Sequence, residues 1–210
     1  MALHGITGSK ENVSDRGALA IEYFDELKRT LGSISVSNDS GEAIPLDLAL
    51  GTLVAEFESV ALAPGKAKLV FIGNGGSSAI ASHGATDYMK NGGFRTYSFT
   101  DATLITCLAN DFGYEHAYEK AVAGLMLEGD ILLVISSSGR SPNVLNAANA
   151  AIELGASVVT CTGFDPDNPI RTKGSTNFHV SSHNYPVVEA SHMAVLDSIL
   201  QASIRTRRTC

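Results

Sequence analysis

The chain has 210 residues, of which 44% are hydrophobic and 18% are charged, and its formal net charge is −7. An apolar fraction of this size excludes intrinsic disorder for most of the chain. The acidic balance argues against nucleic acid or an anionic membrane surface as a partner. The sequence has no apolar run of the ~18 residues that a membrane helix needs and no signal-peptide pattern, so we expect a cytoplasmic protein. Three scattered cysteines, Cys107, Cys161 and Cys210, favour reduced thiols over a disulfide framework.

The first part of the chain is predicted to be helical. Residues 1–14 are polar and are predicted to form a loose, flexible arm. Apolar residues then recur at helical spacing from Asp15 to Leu31 and from Ile44 to Leu62, which predicts two amphipathic helices joined by a polar loop. We expect these helices, within residues 15–63, to form one structural unit with a sheet domain over residues 64–210, and to serve assembly rather than chemistry.

From about residue 64 the pattern alternates between strands and helices. Short apolar segments predict five strands, at 67–73, 94–100, 130–136, 156–162 and 176–181. Helical segments are predicted at 77–90, 103–123, 142–154 and 186–204, with a weak one near Pro169. This alternation predicts an α/β fold with a five-stranded parallel sheet and helices on both faces. Such sheets bind ligands at the carboxyl ends of their strands.

A turn rich in glycine and serine follows the first predicted strand. The sequence GNGGSSAIASH, residues 73–83, leads from this strand into a helix. Its glycines allow a close approach of the backbone to a ligand, and Ser77 and Ser78 place hydroxyls beside the free N–H groups of the helix start. An anion site and a tight turn with a serine cap explain this pattern equally well. The turn lacks both the full dinucleotide fingerprint and the Gly-Lys-Ser/Thr of a P-loop, so we expect no nucleotide cofactor.

A second turn of the same kind, ISSSGRSPNV over residues 135–144, follows the third predicted strand. It offers four hydroxyls and precedes a helix that begins at Pro142. The hydroxyls belong to Ser136, Ser137, Ser138 and Ser141. A capped loop that binds no ligand is a sufficient explanation for one such turn. It is a weaker explanation for two, because two turns at adjacent strand ends would face the same ligand. Together they predict a site for phosphate or a phosphosugar, at which Arg140 either pairs with the anion or points to solvent.

These two turns resemble the phosphosugar-binding stretches of the sugar isomerase (SIS) domain family, in its phosphoheptose isomerase branch. The segments TDATLITCLANDFGYEHAYEKAV, EGDILLVISSSG and VVTCTG extend the match, which runs from about Leu46 to Gln201. The resemblance implies a flavodoxin-like five-stranded sheet and a homotetramer or homodimer, with sites built at a subunit interface. It also implies the isomerisation of sedoheptulose 7-phosphate to a heptose 7-phosphate, so a sugar phosphate is the expected small-molecule partner.

The resemblance also implies site residues. Those expected to bind the substrate or its phosphate, or to shape the pocket, are Asn74, Gly75, Gly76, Ser77, Asp101, Asp111, Ser136, Ser137, Ser138 and Ser141. His83 stands at a metal-binding histidine of the family. Three positions depart from the family pattern, because Asp87 replaces a catalytic glutamate, Glu189 a glutamine and Asp197 a catalytic histidine. An aspartate is ordinarily ionised where a histidine titrates near neutrality, so the family's acid and base roles do not transfer unchanged.

Carboxylates and a histidine suit the implied chemistry. An aldose–ketose isomerase removes a proton beside a carbonyl and returns it to the neighbouring carbon through an enediol, which requires a positioned base and a group that polarises the carbonyl. His83 and Asp87 share one helix face at i, i+4 spacing. Asp87 and Glu189 are the leading candidates for base and acid, with Asp197 as a third. These four side chains also form a candidate site for zinc or a similar divalent ion.

Each of these four side chains also has an alternative explanation in which it only stabilises the fold or faces solvent. His83 would then donate a hydrogen bond to a backbone carbonyl, and Asp87 and Asp197 would be exposed to solvent. Glu189 would interact favourably with the dipole at the start of its helix. Two rival functions use the same fold: a SIS-domain module that binds a protein or senses a phosphosugar without turnover, and an isomerase for another sugar phosphate. A lack of turnover with any sugar phosphate would favour the module, and a substrate panel would separate the two isomerases.

Overall fold

Within residues 10–62 and 67–209, which the computed structural model describes, seven strands form one sheet. The strands are β1 Ser35–Ser37, β2 Ala43–Ile44, β3 Leu69–Gly73, β4 Thr96–Ser98, β5 Ile131–Ser136, β6 Ser157–Gly163 and β7 Thr176–Val180. Their order across the sheet is β2-β1-β7-β6-β5-β3-β4. Strands β3 to β7 are mutually parallel and correspond to the five predicted strands, which are confirmed with the flavodoxin-like order β4-β3-β5-β6-β7.

Two further strands lie in the segment that the sequence predicts as a polar loop. β1 pairs antiparallel with both β2 and β7, and Val36 of β1 packs into the core opposite Phe178. Each strand is too short to show an alternating pattern, and β1 joins the sheet through backbone hydrogen bonds to β2 and β7. Hydrogen bonds of this kind leave no signature in the sequence, so the prediction of five strands was too low by two.

The helices match the predicted segments with shifts at their ends. They are α1 Lys10–Leu31, α2 Leu46–Ala61, α3 Gly76–Lys90, α4 Ala102–Phe112, α5 Tyr114–Leu125, α6 Pro142–Glu153 and α7 Tyr185–Thr209, with a 3₁₀ turn at Pro169–Thr172. α1 starts at Lys10, so residues 10–14 are helical rather than part of the predicted arm, while residues 1–9 and Cys210 lie outside the described residues. In the described part of the chain no helix has the length and apolar character needed to cross a membrane.

The helix predicted over residues 103–123 is in fact two helices. α4 and α5 are separated by Gly113, whose φ is +86°. This left-handed backbone carries little penalty for a glycine but interrupts the helical path. The apolar spacing continues across the break, which is why the sequence reads as one helix.

The core lies on both faces of the sheet. Leu69 and Phe71 of β3 face a cluster that includes residues from α2, α3 and α7, whereas Val70 and Ile72 face a second cluster with residues from α5 and α6. The strand is therefore buried on both sides, as its unbroken apolar run predicts. Phe57 of α2 is fully buried in the first cluster, so this helix packs on its own chain.

Two buried histidines lie beside β6. The His192 Nε2 atom donates to the Thr162 carbonyl at 3.0 Å, and the His179 Nδ1 atom lies 3.4 Å from the Thr162 hydroxyl. Burial lowers the pKa of both histidines to about 4, and at His179 the charge of Arg171 adds to this shift. Both imidazoles are therefore neutral in the folded chain at neutral pH.

These histidines should make the protein less stable in mild acid. Between pH 6.5 and 4 the unfolded chain binds protons that the folded histidines do not, so the free energy of unfolding falls as the pH falls. For His192 alone the loss between pH 7.5 and 5 is about 2 kcal/mol. Replacing His192 with glutamine, which does not titrate, should reduce the pH dependence of urea unfolding by that amount. An unchanged pH dependence in H192Q would contradict this assignment.

Candidate active site

The two turns meet at the carboxyl edge of the sheet. β3 and β5 are neighbours there, with Gly73 opposite Ile135. The chain leaves β3 towards β4 on one side, while β5 lies on the other, so the turns flank the switch point where open α/β sheets bind ligands. Between them lies a pocket of about 230 Å³. It is lined by Asn74, Gly75, Gly76, Ser77, Ile135, Ser136, Ser137, Ser138, Ser141, Tyr185 and Glu189.

The first turn brings the start of α3 close to β5. A Cβ at Gly73 would lie 2.7 Å from the Ser77 backbone and 2.9 Å from the Ile135 carbonyl, so only glycine fits here. The Gly73 carbonyl accepts a 2.5 Å hydrogen bond from the Tyr118 hydroxyl, whose pKa burial raises to about 12. The tight turn directs the N–H groups at the start of α3, and the buried Ser77, towards the pocket.

A pair of amides links the two turns. The Asn74 Nδ2 atom donates to Asn143 Oδ1 at 2.9 Å, and the Asn143 Nδ2 atom donates to Asn74 Oδ1 at 2.8 Å. The Tyr114 hydroxyl donates to the same Asn74 oxygen at 2.8 Å. Asn143 is only 2% exposed. Neither Asn143 nor Tyr114 stands out in the sequence, because their roles depend on partners 69 and 40 residues away.

Asn143 should therefore stabilise the fold as well as the site. Replacing Asn143 with alanine leaves the Asn74 amide without its partner and should lower the free energy of unfolding by about 1–3 kcal/mol. The matched control is Asn146→Ala, because the Asn146 amide makes one exposed hydrogen bond, to the Glu115 carbonyl. We expect the control to change stability by about 0.5 kcal/mol or less. Equal urea midpoints for the two variants would show that the amide pair contributes nothing.

The second turn surrounds the other side of the pocket with hydroxyls. The Gly139 N–H donates to the Ser136 hydroxyl at 3.2 Å, and the Gly163 N–H donates to the Ser137 carbonyl at 2.9 Å. Ser137 is 5% exposed, and its hydroxyl has no hydrogen-bond partner within the described residues. Leaving a buried hydroxyl unpaired costs about 1–3 kcal/mol. An anion in the pocket would give such groups a partner.

Arg140 does not line this pocket. Its Nη2 atom lies 3.1 Å from Asp167 Oδ1 and 3.7 Å from Asp165 Oδ2, so its charge is paired at the outer rim. Among the described residues, the pocket lining holds hydroxyls, the Asn74 amide, the N-termini of α3 and α6 and one carboxylate, that of Glu189, but no cationic side chain. Helix N-termini and hydroxyls bind phosphate well without a full positive charge.

The predicted catalytic and metal residues divide into two groups. The Glu189 carboxylate lies against Gly76 in the pocket, where a Cβ on that glycine would collide with it. His83 and Asp87 lie further along α3, with 3.3 Å between His83 Nε2 and Asp87 Oδ2. Asp197 lies near them on α7, about 12 Å beyond Glu189 at 1.5 Å per residue.

The packing of α3 on α7 explains this division. Both helices follow parallel strands and start at the same edge of the sheet. They pack side by side, and the Tyr88 hydroxyl of α3 donates to the Leu196 carbonyl of α7 at 2.7 Å. Residues near the two helix starts therefore meet at the pocket, while residues two or three turns later meet further from it.

Asp197 is a partly buried carboxyl group beside two other titratable side chains. Burial raises the pKa of its carboxyl group, His83 opposes this shift and the negative charge of Asp87 adds to it. A carboxyl group with a raised pKa retains a proton to higher pH and can donate it. Asp197 thus differs chemically from a surface aspartate, although it replaces a histidine of the related family.

The four-residue metal site is not formed within one chain. No group of three or more histidine, cysteine, aspartate or glutamate side chains in residues 10–62 and 67–209 is arranged to hold a metal ion. Glu189 lies against Gly76, and Asp197 follows it on α7 by about two helical turns, so the predicted set of ligands does not converge.

Asp101 and Asp111 also lie outside the pocket lining. Asp101 is the N-cap of α4, and its Oδ1 atom accepts a hydrogen bond from the Leu104 N–H at 2.9 Å. Asp111 is exposed near the end of α4 and accepts a hydrogen bond from Asn110 at 2.9 Å. Within this chain, both residues therefore have local partners, and their contact with a sugar stays a prediction.

Comparison with known proteins supports the likeness suggested by the turns. Residues 22–163 match the SIS domain. The phosphoheptose isomerase of Geotalea uraniireducens is 32% identical over 184 residues, covering 84% of this chain and 94% of that protein. The phosphoheptose isomerase of Bradyrhizobium sp. (strain ORS 278) is 39% identical over 124 residues, and this match spans 63% of its length. The structure of phosphoheptose isomerase from Neisseria gonorrhoeae is 25% identical, with a TM-score of 0.71 over 93% of this chain and 98% of that chain.

Proposed function

Because the chain belongs to the SIS-domain family, in its phosphoheptose isomerase branch, we propose that it isomerises sedoheptulose 7-phosphate to a heptose 7-phosphate. The observation that carries this proposal is the convergence of two serine-rich turns on one pocket at the switch point of the sheet. The pocket matches phosphate in its chemistry, because hydroxyls and helix N-termini are the donors that a phosphate dianion needs.

In the proposed complex the phosphate binds between the two turns. Ser77 contributes a hydroxyl from the first turn, and Ser138 and Ser141 contribute hydroxyls from the second. The Glu189 carboxylate accepts hydrogen bonds from sugar hydroxyls beside the phosphate. The carbon chain then extends along α3 and α7, so the reacting carbons lie near the second group of titratable residues.

The reaction proceeds by proton transfer through an enediol. Asp87, as base, removes the proton from the carbon beside the carbonyl, and Asp197, as acid, protonates the carbonyl oxygen. While Asp87 holds the abstracted proton, that proton exchanges with solvent. Asp87 then delivers a proton to C2, the former carbonyl carbon, and the C1 hydroxyl gives its proton to Asp197, so an aldehyde forms at C1 and both side chains are regenerated. The raised pKa of Asp197 and its proximity to His83 and Asp87 support these roles. His83 polarises the carbonyl by donating a hydrogen bond.

Self-association into a homotetramer or homodimer is part of the proposal. On α1 the side chains of Leu19, Ile21 and Phe24 are 57–64% exposed, which is unusual for apolar residues of this size. We also propose a cytoplasmic location, because the described cysteines, Cys107 and Cys161, are free thiols, which suit a reducing compartment.

The test is to incubate the purified full chain with sedoheptulose 7-phosphate in D₂O and to follow the product by NMR. Proton transfer through an enediol predicts heptose 7-phosphate with solvent deuterium at C2. The dephosphorylated sugar should react far more slowly, because its phosphate contacts are missing. Binding of the sugar phosphate without turnover would reject catalysis and favour a sensing module. Product without deuterium would reject an exchangeable carboxylate base.

A further inference from the structure

Three aromatic rings contact one another beside the pocket, and one of them lines it. Phe164 directly follows β6, and Tyr185 begins α7. The Phe164 ring stacks on His183, with centroids 5.5 Å apart and an interplanar angle of 12°. It also meets the Tyr185 ring edge-on at 4.7 Å and 87°. We call the three rings, Phe164, His183 and Tyr185, the aromatic wall. Tyr185 is the member that lines the pocket, together with Glu189, and Phe164 and His183 support it through ring contacts.

The aromatic wall is held at an energetic cost. Phe164 has a φ of 58°, and it is the one non-glycine residue with a positive φ in the described part of the chain. Such a left-handed backbone costs a non-glycine residue about 1–2 kcal/mol. Tyr185 remains 57% exposed, so its ring buries little apolar surface in return. Strain of this kind concentrates at ligand sites, where the surrounding structure maintains it.

Helix α1 fixes the loop that carries the wall. The Glu26 carboxylate accepts hydrogen bonds from the Ser182 hydroxyl at 3.2 Å and from the Asn184 side chain at 3.1 Å. The Tyr23 hydroxyl donates to the Pro186 carbonyl at 3.3 Å. These bonds hold both sides of Tyr185. The backbone on both sides of Tyr185 is therefore held in place before a ligand arrives, which reduces the entropy cost of binding.

The wall complements the chemistry of the two turns. The turns supply hydroxyls and N–H groups for a phosphate, but they offer little to the C–H groups of a sugar. An aromatic ring is apolar and has a negative face, so it packs favourably against C–H groups. We infer that Tyr185, supported by Phe164 and His183, packs against the sugar carbons next to the phosphate and determines specificity for the sugar rather than for the phosphate. This inference rests on the proposed function.

Calorimetric titration of the full chain with two probes, sedoheptulose 7-phosphate and inorganic phosphate, tests the inference. Tyr185→Ala should weaken sugar phosphate binding about tenfold, the equivalent of one aromatic contact of about 1.4 kcal/mol. The same variant should bind inorganic phosphate as the unchanged chain does. Tyr185→Phe keeps the ring and should bind both probes normally. Tyr97→Ala is the matched control, because Tyr97 is also exposed and edge-on to a phenylalanine, Phe99, but lies outside the pocket.

The outcomes separate this inference from the proposed function. If the unchanged chain binds the sugar phosphate and Tyr185→Ala binds it equally well, only the role of Tyr185 is rejected. If Tyr185→Ala bound both probes more weakly by the same factor, the role of Tyr185 would also be rejected, because the ring would then act through the phosphate turns. Failure of the unchanged chain to bind the sugar phosphate would reject the proposed function together with this inference.

Discussion

Replacing Asp87 with asparagine should lower kcat for sedoheptulose 7-phosphate by about 10²–10⁴-fold, the contribution of a positioned general base. Asparagine has nearly the same shape but cannot accept the proton, so the site keeps its geometry and loses its base. KM should change little, because the phosphate binds at the turns and Asp87 lies about three helical turns beyond Gly76. Steady-state kinetics of Asp87→Asn measure both parameters.

The matched control for this variant is Asp39→Asn. Asp39 is exposed between β1 and β2, away from the pocket, and the change removes the same charge. We expect the control to keep the kcat of the unchanged chain. A normal kcat in Asp87→Asn would remove Asp87 from the mechanism, whereas a rise in KM alone would make it a binding residue.

Removing one hydroxyl from each turn should weaken substrate binding by at least a hundredfold. In the double variant Ser77→Ala, Ser138→Ala the phosphate loses two hydrogen bonds to a charged group, each contributing about 1.5–3 kcal/mol. The fold should persist, because the Ser138 hydroxyl accepts only a long hydrogen bond, 3.4 Å, from the Arg140 N–H. Calorimetric titration with sedoheptulose 7-phosphate gives the change in Kd.

The double variant Ser59→Ala, Ser33→Ala is the control for the phosphate site. Each of these hydroxyls donates to a carbonyl three residues earlier, Ser59 to Glu56 and Ser33 to Thr30, away from the pocket. The control should bind the sugar phosphate with the normal Kd. Equal affinity of the control and the turn variant would place the phosphate elsewhere on the chain.

The sequence predicts the fold well because its strands are buried on both faces. The unbroken apolar run from Leu69 to Ile72 requires helices on each side, and the order of strands and helices then leaves few topologies. Strand β1 is different, since it has only three residues and pairs through its backbone with β2 and β7, which lie far from each other in the sequence. The end of α4 at Gly113 could not be predicted either, because the positive φ of this glycine interrupts the helix without interrupting the apolar periodicity of the sequence.

For the site, local chemistry is predictable and contacts between distant elements are not. The two serine turns could be found because each has its signature within about ten residues. The Asn74–Asn143 pair and the support of Tyr185 by Phe164 join elements far apart in sequence, and neither has a local motif. The separation of Glu189 from Asp197 into two groups could not be predicted for another reason. Spacing along a helix gives the face of a residue, but the neighbour it meets depends on how α3 and α7 pack.

The most direct test of the proposed function is a crystal structure of the chain with sedoheptulose 7-phosphate. We predict the phosphate between the two turns, within hydrogen-bond distance of the Ser77 and Ser138 hydroxyls, with C1 and C2 of the sugar directed towards Asp87 and Asp197. A phosphate bound outside the turns would contradict the assignment of the pocket. A phosphate in the turns with C1 and C2 directed away from both aspartates would contradict the proposed chemistry.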